Sequence, residues 1–269
     1  MKSSLAKALI AAGMLAGFGV ASSNALAAFV YPPFTVNPVP YGGAASFQAD
    51  RITGTYSEAF TATSATNFSS SGFWSAGQFV AGNAGGLPGG GPAGTGLGNT
   101  YGLYALFQVN GTYAANGSGG FNFTGQTGTL GVWIDPQLDA TFNLPPTGNL
   151  PTTVNGLPDT SLMSLTSFTY GAGSTAAGAP GTPNGNFGTI WNISLSGAGS
   201  SFFTLPVPFY NLTTQNGQFN AFNPSASNTQ IVNGSLDVTF KTVPEPASLA
   251  LVGLGLLGMG VSLRRRKHF

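Results

Sequence analysis

The sequence predicts an all-β protein, a single antiparallel β-sandwich or jelly-roll-like domain flanked by two short targeting segments. Three observations carry that prediction. With 41 Gly, 21 Phe and only 6% charged residues, the chain lacks the Glu, Lys and Arg that favour helices, while Thr, Ser and Asn are abundant. Several stretches of strand length alternate apolar and polar residues with a period of two. The chain between the targeting segments is long enough for a sizeable core, and sandwiches of about 200–250 residues commonly stay one domain.

The N-terminal segment, residues 1–27, reads as a signal peptide. Lys2 and Lys7 precede an apolar stretch over residues 8–20, and Ala25-Leu26-Ala27 has the small-x-small form that signal peptidase cuts, placing the cleavage after Ala27. The secreted domain then covers residues 28–242. Its first part, residues 28–43, holds Pro32, Pro33, Pro38 and Pro40 and reads as an extended lead-in.

Residues 48–63 form a long strand candidate with Ile52, Tyr56 and Phe60 on one face and Arg51, Thr53, Thr55 and Ser57 on the other. Residues 73–81 form a second, anchored by Trp74 and Phe79. Residues 82–98 are a glycine-rich loop, with no lysine after it to suggest a phosphate cradle. In residues 101–113, Tyr101, Leu103, Ala105, Phe107 and Val109 alternate against Tyr104, Leu106, Gln108 and Asn110, and both faces start apolar, which predicts a central strand.

Residues 121–124 and 129–134 read as a hairpin around the turn 125–128, ended by Asp135-Pro136. Residues 141–158 read as proline-rich loop, 161–170 as a strand and 171–185 as a second glycine-rich loop. Residues 187–195 and 201–205 are strands, with Pro206 and Pro208 confining the latter to an edge. Residues 218–222 are a weaker candidate. Residues 231–241 close the domain, with Val232, Leu236, Val238 and Phe240 inward and Ser235, Asp237 and Thr239 outward.

The last strand runs directly into residues 243–269. There Pro244, Glu245 and Pro246 precede an uncharged apolar run, residues 247–263, and then Arg264, Arg265, Arg266 and Lys267. The prolines hold an accessible extended peptide. As a helix the seventeen-residue run spans roughly 25 Å, at the short end of what crosses a bilayer. The four cations stop transfer and stay cytoplasmic. A plain membrane anchor explains the topology but has no need of the Pro-Glu-Pro triplet. Gly253, Gly255 and Gly258 spell G-x-G-x-x-G, but no βαβ unit surrounds them, so no dinucleotide site is read there.

Removing both ends changes the charge. Of eight Lys and Arg, two leave with the signal peptide and four with the tail, so Arg51 and Lys241 remain; if Glu245 stays on the mature chain they face all seven acidic residues, and two against seven gives a formal charge of −5 in place of +1. No basic patch exists to neutralise phosphates, which excludes a nucleic-acid partner. The sole histidine, His268, leaves too, and there is no cysteine. Ser-His-Asp, Cys-His and His/Cys zinc chemistry are therefore excluded, no catalytic residue is assigned, and the expectation is a protein that is not an enzyme.

Asp135 and Asp139, in the stretch DPQLD, are the carboxylates closest in sequence. They are candidate metal ligands for calcium, which takes carboxylate and carbonyl oxygens from a turn. The plainer reading makes Asp135 a turn initiator and Asp139 a solvated loop residue. Trp133 is a neighbour, but alternation puts it on the opposite face from Ile134, and core packing is its plainer role. Tyr31, Tyr41 and Trp74 are candidate exposed aromatics that would stack on sugar rings.

The triplet, apolar run and basic tail resemble the C-terminal signal of the PEP-CTERM family of exported bacterial proteins. The stretches YGLYALFQVNGTY, FNFTGQTGTLGVWIDPQLDAT, FFTLPVPFYNLTTQNGQFNAF and VNGSLDVTFKTVPEPASLAL, in that order, resemble the flocculation-associated members. The resemblance implies export by the Sec machinery, signal-peptidase cleavage, transient anchoring in the inner membrane, cutting by an exosortase, and delivery to the cell surface or extracellular matrix. It also implies a structural or adhesive role in exopolysaccharide-dependent floc formation. The competing expectation is a secreted lectin-like module or carbohydrate-active enzyme.

Overall fold

A computed structural model describes residues 31–82, 85–145, 149–154, 156–176, 184–216 and 229–241. The all-β expectation holds. Thirteen antiparallel strands lie among the described residues: β1 (Phe34–Val36), β2 (Phe47–Ala49), β3 (Arg51–Ala62), β4 (Asn67–Val80), β5 (Gly102–Ala115), β6 (Phe121–Asp135), β7 (Thr141–Asn143), β8 (Thr152–Val154), β9 (Thr160–Ala176), β10 (Asn184–Leu195), β11 (Phe203–Leu205), β12 (Asn211–Asn216) and β13 (Thr229–Lys241).

Eight of them close into one barrel in the order β3-β4-β5-β6-β9-β10-β12-β13, with β13 returning to β3 from Thr229↔Thr61 to Thr239↔Arg51. The apolar faces expected of a sandwich are thus the inner side of one closed sheet. Closure removes the edge strands that an open sheet must protect. Ile52, Leu103, Val132, Leu212, Leu236, Val238 and Phe240 point inward from five of the eight staves and are all buried.

One end of the barrel is stoppered. β1 is the centre of a small sheet, ordered β11-β1-β2, and the short helix α1 (Gly197–Phe202) leads into β11. Ser196 caps α1 by accepting from the Gly199 N–H at 2.9 Å. Phe34 meets Phe240 edge-on at 4.8 Å, and Phe47 meets Phe79 at 4.9 Å, so the stopper fills that end with aromatic rings. The lead-in is therefore not merely extended: it supplies β1, because Phe34 and Val36 alternate toward the barrel end.

Other departures have physical reasons. No hairpin turn occurs at residues 125–128, which stay paired with β5 through Val109↔Gly128 and Gly111↔Gly125 around a bulge. These glycines make room and do not turn the chain: a Cβ on Gly128 would stand 2.6 Å from Trp191 Cζ3, and one on Gly125 would stand 2.9 Å from Phe168 Cζ. The same need for space lets β9 run on to Ala176 through Gly171 and Gly173. The loop 141–158 contains the β7–β8 hairpin, and the loop 82–98 contains helical turns at Pro88–Gly90 and Pro92–Thr95. Residues 201–202 belong to α1, and β11 sits at a sheet edge as its prolines require. The candidate strand 218–222 lies outside the described residues, while β12 just before it had no clear pattern.

Candidate functional site

The sequence brings two carboxylates together and the fold adds a third. Asp135 ends β6, Asp139 follows in the same connection, and Asp159 stands just before β9; one oxygen of each lies within 4.8 Å of the others. Asp135 is buried, and its Oδ1 accepts from Gln137 N at 3.0 Å and its Oδ2 from Ala140 N at 2.9 Å. That is the turn role expected of it. Asp139 is half-buried and not simply solvated: Oδ2 accepts from Gly156 N at 3.1 Å, and Oδ1 is buried without a hydrogen-bond partner. Asp159 Oδ2 accepts from the Tyr104 hydroxyl at 2.6 Å.

The neighbouring outer face of the barrel is aromatic. Tyr104 stacks on Trp133 with ring centroids 5.6 Å apart and planes 17° apart, and Phe142 of β7 lies over Tyr104 at 5.0 Å and over Phe73 at 4.5 Å. Trp133 alternates with the inward Val132 and Ile134, so it packs outside the barrel core. Three hard oxygen donors, one with an open lone pair in a buried position, suit a divalent cation such as calcium in donor type. Asp159 was missed in the sequence because it is twenty positions from Asp139, and only the β6–β9 pairing closes that distance.

Inside the barrel, cavities of about 40 Å³ and 20 Å³ adjoin along one side, both lined by Glu58, Ser70 and Phe187. At roughly 10–15 Å³ per water, the pair has room for a few waters. The remaining lining of the larger is mostly apolar, including Trp74, Leu103, Val132, Trp191 and Leu236. Burial raises the Glu58 carboxyl to about 7, with the Ser70 hydroxyl drawing it partly back. Tyr56 lies on the same face of β3; its hydroxyl is buried without a partner, and burial and the Glu58 charge both push it up. Trp191 donates to Thr189 Oγ1 at 2.6 Å, and the Thr189 and Thr214 hydroxyls bond each other. Sequence reasoning overlooked Glu58, yet the signal was present: it shares the parity of Ile52, Tyr56 and Phe60.

The expected exposed aromatics do not assemble a sugar platform. Trp74 is 2% exposed and donates to the Leu236 carbonyl at 3.1 Å, so it belongs to the core. Tyr41 packs edge-on against Phe202 at 5.8 Å, and the Tyr31 ring lies 5.6 Å from the Arg51 guanidinium.

The two expected terminal signals flank the domain in sequence. Ala25 and Ala27, the triplet Pro244, Glu245 and Pro246, the apolar run 247–263, expected as a transmembrane helix, and Arg264 to Lys267 all lie outside the described residues. Among the described residues no helix is long and apolar enough to cross a membrane. The last described residue, Lys241, completes β13.

The described residues define a one-barrel β-domain. The PEP-CTERM protein-sorting motif matches residues 242–267, beginning at the residue after β13. The motif marks the chain as an exosortase-targeted, exported protein of the cell surface or exterior. No curated protein and no solved structure matches the chain.

Proposed function

We propose that the barrel is a structural, adhesive component of an exopolysaccharide matrix, released there after Sec export, signal-peptidase cleavage, transient inner-membrane anchoring and exosortase cutting, and that it promotes floc formation. The observation that carries this reading is the sorting motif at residues 242–267 abutting β13. The strands' outward positions are rich in Thr, Ser, Asn and Gln, which hydrogen-bond hydroxyl-rich polymers, and many weak contacts on a matrix give avidity without a deep pocket. Arg51 and Lys241 are the basic residues of the domain, which fits a neutral polysaccharide better than a nucleic acid.

In the same reading, calcium held by Asp135, Asp139 and Asp159 braces the connection from β6 to β9. A lectin-like second reading is favoured by one observation, the Tyr104–Trp133 stack beside those carboxylates. Enzymatic turnover is not part of the proposal, because a domain without imidazole or thiol has little to activate a hydroxyl nucleophile.

The test is a deletion strain. Its cultures should settle poorly, and purified protein should bind matrix polysaccharide without releasing sugar. Normal settling would overturn the structural reading, and sugar release by the purified protein would establish an enzyme instead.

A further inference from the structure

The described residues begin and end at the stoppered end of the barrel. Asn211 pairs with Lys241 at the last rung of β12 and β13, and the Tyr210 hydroxyl donates to the Pro33 carbonyl at 3.2 Å, so the C-terminal exit and the N-terminal stem lie on either side of the same loop. That loop, residues 206–210, follows β11 and carries the most exposed apolar side chain described, Val207 at 83%, with Leu205 beside it at 54%. The opposite end, by contrast, presents the turn Asn116–Gly120, with Ser118 exposed among polar and glycine residues.

Chain length restricts where this end sits. From Lys241 to Ala247, the first residue of the apolar run, is six residues, which reach at most about 20 Å when fully extended. The headgroup layer on each side of the hydrocarbon is roughly 5–8 Å thick. While residues 247–263 are inserted, Lys241 is therefore tethered close to the lipid surface, and the side chains around it are the part of the domain that meets it. An exposed Val and Leu pair, with the half-buried Tyr210 next to them, is the composition that partitions into a membrane interface.

We propose that the stoppered end of the barrel, through Leu205 and Val207, docks on the lipid surface while the C-terminal tail is inserted. The docking rests on reading residues 243–269 as a membrane-inserted sorting segment. Its consequence is orientation: the barrel stands with its stoppered end down, holding the Pro244–Pro246 triplet in the plane where a membrane-embedded protease works, and leaves the surface when the tail is cut.

The absence of cysteine makes the test clean. Val207→Cys and Ser118→Cys, each in the full chain, are labelled with an environment-sensitive fluorophore and reconstituted into phosphatidylcholine vesicles containing phosphatidylglycerol. Lipid carrying a nitroxide on its headgroup is the quencher. Both positions are exposed, so neither substitution threatens folding. The expected result is a blue shift and loss of fluorescence at position 207, with neither at 118. A chain that floats with the vesicles and resists carbonate extraction, yet shows equal quenching at both positions, overturns the docking alone. A chain that does not stay with the vesicles overturns the membrane-inserted reading and the docking together.

Discussion

Tyr104 donates its hydroxyl hydrogen to Asp159 Oδ2 at 2.6 Å, tying the segment that leads into β9 to the outer face of β5. Hydrogen bonds to a charged acceptor contribute about 1.5–3 kcal/mol. Tyr104→Phe keeps the ring that stacks on Trp133 and removes the hydroxyl that makes this bond. It should cost about 2 kcal/mol, seen as a fall of several degrees in Tm. An unchanged melting curve would show that solvent replaces the contact without loss.

The carboxylate cluster makes a separate prediction. A cation bound only to the folded state adds RT ln(1 + [L]/Kd), about 1.4 kcal/mol at a concentration ten times Kd. Millimolar calcium should therefore raise the Tm of the wild type by a few degrees and leave Asp139→Asn unmoved. Asp139 is the discriminating position because its Oδ1 is buried without a hydrogen-bond partner. Asp135→Asn should destabilise with or without calcium, since Asp135 accepts two backbone N–H groups. Equal behaviour of wild type and Asp139→Asn across a calcium titration would rule the site out.

Glu58 sets a pH dependence of the opposite sense to the usual carboxylate. Its pKa rises from 4.5 in the unfolded chain to about 7 in the barrel, so the folded state holds the proton more tightly. Its favourable contribution is whole below pH 4.5 and is lost as pH climbs through 7, on the order of 3 kcal/mol. Asp237, raised by burial against the opposing pull of Arg51, adds in the same direction. Urea unfolding of the wild type should show greater stability at pH 5 than at pH 8. Glu58→Gln should flatten most of that slope, and a slope kept intact by the variant would assign it elsewhere.

Gly128→Ala should cost about 1–3 kcal/mol by overpacking. The added methyl would stand 2.6 Å from Trp191 Cζ3, inside contact distance. Trp191 emission reports the disturbance directly. A variant with unchanged stability and emission would show that the indole has room to shift.

Intact mass of protein recovered from cell-free matrix should correspond to a chain that begins at or near Ala28 and lacks Arg264 to Lys267. Retention of the tail on secreted protein would replace exosortase processing with a plain anchor.

The sequence by itself determined the class of the domain, most of its strands and the address at its C-terminus. Each of these is written locally. Leu236, Val238 and Phe240 alternate within one strand, and the triplet, apolar run and cations lie within a single contiguous segment. Only the tertiary structure decided that the sheet closes, because an inward period-two face looks the same in a sandwich and in a barrel until β13 is seen to pair with β3. It also decided what glycine was for. Residues 125–128 read as a turn, yet Gly125 and Gly128 make space for Phe168 and Trp191, which arrive from strands 40 or more positions away. Asp159 joins Asp135 and Asp139 for the same reason: strand pairing brings together what chain separation hides. Glu58 lay on a legible apolar face, but an acid there acquires meaning only when closure removes its water. The physical divide is between periodicity, which one strand carries alone, and enclosure, which exists only after the eighth strand returns to the first.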